Sequence, residues 1–89
     1  MSETRIGSIV SSQIGRMGAI DLSEGEFRLP DGMGFNIKND GDAAVSLDVI
    51  LDKMAEGDYV TTKFYPGWNK EIVRAVKSDD TVTGLFWGV

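Results

Sequence analysis

The side chains in this sequence that could do acid–base or metal chemistry are carboxylates. Aspartate and glutamate number 14, while histidine and cysteine are absent. Without histidine there is no serine–histidine or cysteine–histidine nucleophile and no imidazole ligand for a transition metal. Without cysteine there is no disulfide framework and no thiolate zinc site. Paired carboxylates can cleave glycosides unaided, and two pairs have a suitable spacing, Glu24 with Glu26 and Asp48 with Asp52. On a strand each pair would share one face. That face reads as the wet side of a sheet with no sign of a pocket, so neither pair is assigned catalysis. Asn36, Lys38, Asp40 and Gly41 brush against the calcium-loop pattern. Lys38 occupies its third position and Leu47 its twelfth, where oxygen ligands belong. A solvated turn is the reading, and Asp79-Asp80 is read the same way. Gly15-Arg16-Met17-Gly18 lacks the Gly-Lys-Ser/Thr ending of a phosphate loop, and Gly32-Met33-Gly34 lacks the third glycine of a dinucleotide fingerprint. The expectation is a protein that is not an enzyme, with no catalytic, cofactor-binding or metal-binding residues.

Charge narrows the partners. The formal net charge is −5, which repels phosphate backbones. The basic residues Arg5, Arg16, Arg28, Lys38, Lys53, Lys63, Lys70, Arg74 and Lys77 are scattered and form no run. Nucleic acid is therefore not an expected partner. No window approaches the roughly 20 apolar residues that span a bilayer. Met1 to Arg5 has no apolar stretch behind it, so the reading is no signal peptide and no membrane partner.

The elements that position these residues read as short strands. With 89 residues the chain is expected to be one domain over residues 1–89, with 1–5 as an N-terminal arm. Eleven glycines against two prolines mark turns between strands. Ile6–Ser11, Ala19–Leu22 and Glu26–Leu29 read as weak strands, and Pro30-Asp31-Gly32 as a turn. Met33, Phe35 and Ile37 alternate with polar residues and glycine. Asn39-Asp40-Gly41-Asp42 then reads as a hairpin turn. Val45, Leu47, Val49 and Leu51 alternate in the next run, followed by a turn at Ala55-Glu56-Gly57. A strand from Tyr59 to Tyr65 has Val60, Thr62 and Phe64 inward. Residues 33–65 thus predict a three-stranded meander with one dry face. Asn69 as N-cap, Glu71 in the first turn and Ile72, Val73 and Val76 at helical spacing predict a short helical turn over 69–76. Ser78-Asp79-Asp80 reads as a turn before a last strand, Thr81–Trp87, apolar on both faces. A sheet with one dry face needs a cover. The fold expected is all-β, a small antiparallel β-sandwich of Ig-like or jelly-roll-like form, with a small β-barrel as the alternative.

Phe64-Tyr65-Pro66-Gly67-Trp68-Asn69 groups three aromatics around a turn. Tyr65 and Trp68, with Leu85 and Trp87 in the closing strand, are the interface candidates, because Tyr and Trp dominate binding energy at protein contacts. Trp68 could instead plug a corner of the sandwich. A glycan stacked on Tyr65 and Trp68 is the alternative functional reading.

The Asn-x-Gly-Asp turn resembles small proteins of phages and prophages, especially those of gut Bacteroidales, when taken with Thr61–Val73 (TTKFYPGWNKEIV) and Thr81–Gly88 (TVTGLFWG). There a Gly-Trp-Asn-Pro-Glu-Ile/Val-Val pattern precedes a closing Thr-x-Thr-Gly-Leu strand. The resemblance covers about residues 33–88, and Lys70 departs from it by standing where those sequences have proline. It implies a structural virion component, such as an auxiliary capsid, decoration, connector or spike-base-like protein. It also implies assembly in the host bacterial cytoplasm, with other virion proteins or copies of itself as partners and no cofactor.

Overall fold

A computed structural model of the protein describes residues 14–79 and 81–89. The expected strand at Ile6–Ser11 and the arm at 1–5 lie outside the described residues. Among the described residues seven short strands follow one another: β1 (Met17–Ala19), β2 (Asn36–Asn39), β3 (Val45–Leu51), β4 (Val60–Phe64), β5 (Gly67–Trp68), β6 (Val73–Val76) and β7 (Leu85–Gly88). They form two antiparallel sheets packed together, a four-stranded sheet in the order β1-β7-β2-β5 and a three-stranded sheet in the order β4-β3-β6. The architecture is all-β and compatible with a small β-sandwich.

The core between the sheets draws on both. Ile37 and Leu85 come from the four-stranded sheet, Leu47, Val49, Phe64, Val73 and Val76 from the other, and Ile20, Leu22, Leu29 and Phe35 from the connecting segments. Period-two alternation explains most of this, since Leu47 and Val49 turn inward while Ser46 stays exposed.

The residues 33–65 do not form one meander. Phe35 bridges to Val73 of β6, whereas Asn36–Asn39 pair with β7 in the other sheet. β3 and β4 do form the expected antiparallel pair, Val45 opposite Phe64 and Val49 opposite Val60. The turn after Asn39 therefore carries the chain from one sheet to the other. Alternation sets which side of a strand is dry, and it does not choose the neighbouring strand. Met33, expected inward, is exposed.

The helical turn predicted over 69–76 is absent, and Val73–Val76 is strand β6. Its amides and carbonyls are claimed on both sides. Val49, Ile50 and Leu51 of β3 lie on one edge, and Phe27 and Phe35 exchange backbone hydrogen bonds with Val76 and Val73 on the other. Two β-branched valines in that ladder outweigh a marginal one-turn helix.

Ile50, expected on the wet side of β3, is fully buried, as is Ala75 opposite it. The pair lies on the far side of the three-stranded sheet from Val49 and Val76. Charged groups surround it. Arg28 holds Glu26 and Glu56, Glu56 also holds Arg74 at 3.0 Å, and Lys77 sits 5.6 Å over the Tyr59 ring. The Tyr59 hydroxyl donates to Glu26. Arg28 chiefly, then Arg74, holds the Glu56 carboxyl below its ordinary value of 4.5. A depressed folded value means the stabilisation is present above the ordinary value and is lost as the pH falls through the folded one. Glu56→Gln is accordingly expected to lower the thermal midpoint at neutral pH. The gap to the parent protein should close as the pH drops below about 4, and a gap independent of pH would refute the ion-pair account.

Candidate interaction surface

The four-stranded sheet turns away from the core an outer face on which apolar residues flank Lys38 and Asn36. Register places Ala19, Phe86, Lys38 and Trp68 in one row across its strands, and Met17, Gly88 and Asn36 in the next. Met17 is exposed, as is Trp68 at 38%. A Cβ at Gly88 would stand 2.5 Å from Cη2 of Trp68 and 2.9 Å from Cγ2 of Ile14. The indole is therefore laid across the strand next but one, over the bare backbone at Gly88, with Ile14 approaching the same spot. Gly88→Ala is expected to lift the ring at a cost of about 1–2 kcal/mol. In a Trp87→Phe background this should red-shift the remaining tryptophan emission, and an unmoved spectrum would contradict the seating.

The corner that presents Trp68 is built by Asn69. Its Oδ1 accepts from Tyr65 N at 3.0 Å, and its Nδ2 donates to Tyr65 O at 2.9 Å and Gly67 O at 3.1 Å. Gly67 takes φ +92°, which a side chain would resist. Asn69 is thus a loop clamp and not a helix cap. Asn36 makes a similar brace, donating to the carbonyls of Asn69, Lys70 and Glu71 at 3.3, 3.3 and 3.0 Å. Lys38, between Phe86 and Trp68, pairs with Asp40 at 3.5 Å.

The four interface candidates separate. Trp68 is on the outer face. Tyr65 is the most exposed of the large hydrophobics among the described residues, at 60%, but it follows inward-facing Phe64 of β4 and so continues the outward row of that strand. Leu85, 2% exposed, is core and not interface. Its register partner is the buried Asn39, so the apolar side of β7 that it occupies meets the protein's own core. Trp87 is half-buried and packs on the core. Its ring touches the bare backbone at Gly18, and Arg16 stands 5.8 Å above it. Trp87 lines a cleft of about 300 Å³ with Arg16, Leu29, Pro30 and Asp31. Sequence reasoning missed Met17, which is exposed, and Phe86, which is half-buried on the same outer face. The only available signal was that Phe86 shares a strand with Leu85 and Trp87 but has opposite parity.

The carboxylate pairs are engaged separately. Asp48 accepts from Thr61 Oγ1 at 2.6 Å, Asp52 lies beside Gly34, and Glu26 is held by Arg28 and Tyr59. Among the described residues no cluster of three acidic side chains could hold a metal ion. No helix of the described residues is long and apolar enough to cross a membrane. Comparison with protein families, with curated proteins and with solved structures finds no match to this chain.

Proposed function

We propose that the protein is a non-enzymatic assembly subunit that works by docking the outer face of its four-stranded sheet onto another protein. The observation that carries this reading is the apolar face itself: Trp68 spread over Gly88, with Met17, Phe86 and Ile14 beside it. The solvent side of an antiparallel sheet is ordinarily polar, and a contiguous apolar patch there marks a contact site. The resemblance over residues 33–88 supports a virion as the setting, the subunit being an auxiliary capsid, decoration or connector protein that contacts other virion proteins or copies of itself. Glycan binding has less support. Tyr65 lies in the connection that follows β4 and continues its outward row, whereas Trp68 lies on the face of the other sheet, and the amides of Asn36 and Asn69 beside Trp68 are already committed to backbone carbonyls.

Co-expression with the products of adjacent genes, followed by purification of the complex, tests the reading. Trp68→Glu is expected to weaken capture at least tenfold, as hot-spot tryptophans do, with an unchanged circular dichroism spectrum. Capture by Trp68→Glu and Met17→Asp variants equal to that of the parent chain would overturn it.

A further inference from the structure

We propose that a second copy of this chain adds to the edge strand β4, joining two three-stranded sheets into one across a two-fold axis at Thr62. This deepens the assembly reading and rests on it.

The other sheet edges are short or occupied. The far side of β6 is taken by the hydrogen bonds from Phe27 and Phe35. β1 has three residues and includes a glycine, and β5 has two residues and follows Pro66. β4 differs, with five residues, neither glycine nor proline, and a ladder to β3 without a register shift. Among the described residues its only strand partner is β3. Exposed edges are usually blunted by charge, proline or a bulge, and here Lys63 is the single charge on the strand.

The side chains of β4 select a second copy as the occupant. Antiparallel self-pairing centred on Thr62 sets Val60 opposite Phe64 of the second copy, extending the dry face. On the outer row it sets Thr61 opposite Lys63 of the second copy, the pairing ending where Asn69 claims the backbone of Tyr65. Centring on Lys63 would oppose two lysines, which is unfavourable. Centring on Thr61 would set Phe64 against Asp58. A shift of odd count would turn the dry row of one copy to the wet side of the other. The Thr62 register also matches charges. Asp48 is the β3 partner of Thr61, so Lys63 of the second copy falls in the row of Asp48, about 10 Å of strand spacing away and within reach of its flexible stem. Two such Asp48–Lys63 pairs form by symmetry and locally offset the repulsion between two acidic chains.

Sedimentation and light scattering of the full chain over a range of concentrations are expected to show a monomer–dimer equilibrium. Lys63→Glu should weaken the dimer about tenfold, and Asp48→Lys combined with Lys63→Glu should restore it. Thr62→Cys should give a covalent dimer on oxidation, while Thr83→Cys, in an exposed loop, should not. Circular dichroism confirms that each variant is folded. A folded chain that stays monomeric, or a dimer indifferent to Lys63→Glu and not cross-linked through position 62, overturns the proposal. If such a chain still captures its partner through Trp68, only the strand pairing has failed. A chain that dimerises as described but is indifferent to Trp68→Glu refutes the docking face alone.

Discussion

Asn39→Leu is expected to destabilise the fold by about 2–4 kcal/mol, the sum of buried polar groups left without partners. Asn39 is 3% exposed and is the buried polar residue among the described residues. Its Nδ2 donates to Ala43 O at 2.9 Å and to Phe64 O at 3.1 Å, and its Oδ1 accepts from Gly41 N at 2.9 Å. These bonds stand where the chain leaves β2 for the other sheet, so no strand ladder can serve the same groups. The bond to Phe64 O also fastens one sheet to the other, because β4 belongs to the three-stranded sheet. Leucine matches the volume and satisfies none of the three groups. Asn39→Asp should be no milder, since it loses both donated bonds and adds a buried charge. Urea unfolding is the measurement, with an unchanged slope expected. A loss below about 1 kcal/mol would mean that water reaches these groups and that the amide is dispensable.

The second large effect is expected at Phe35. Phe35→Ala should cost about 3–5 kcal/mol through lost burial and the cavity left behind. Phe35 is among the largest fully buried side chains. It meets Phe27 edge to face, with ring centroids 5.5 Å apart and planes at 87°. Its backbone bridges Val73 while the next residue joins the opposite sheet. The ring thus sits at the point where the chain changes layers, and no neighbouring strand is free to collapse into the space. A domain of this length has a total stability of roughly 4–13 kcal/mol, so the variant should lose at least about 12 °C in thermal midpoint or fail to fold at 37 °C. Phe35→Leu retains most of the volume and should lose about half as much. Equal losses in the two variants would show that the aromatic pair matters and the cavity does not.

Both predictions fall on residues whose type was legible in the sequence and whose position was not. Phe35 and Ile37 were readable as core from alternation alone, and both are buried. Their division between two sheets was not readable, because period two is the same whichever strand lies alongside. Asn39 read as a turn residue, and it does begin a turn. Its burial followed only once Leu85 and Phe64 were brought to either side of it. At 69–76 a capping residue and helical spacing competed with β-branching, and the open edge of β3 decided the outcome. Leu85 read as surface because its strand is apolar on both faces. The residue that supplies the outward apolar side is Phe86, joined by Met17, which lies outside every strand read from the sequence.

By itself the sequence determined the all-β class, the inward parity of Leu47, Val49 and Phe64, the turn after Asn39, and the lack of any imidazole or thiol for chemistry. These are local properties: side-chain period, backbone preference and composition act within a few residues. The tertiary structure decided which strands pair, that Ile50 and Ala75 are dry, and that Trp68 lies over Gly88 beside Phe86 and Met17. Those outcomes join residues up to 71 positions apart, as in the pairing of Met17 with Gly88. Only chain closure in space brings such residues into contact, so no pattern confined to one segment can encode them.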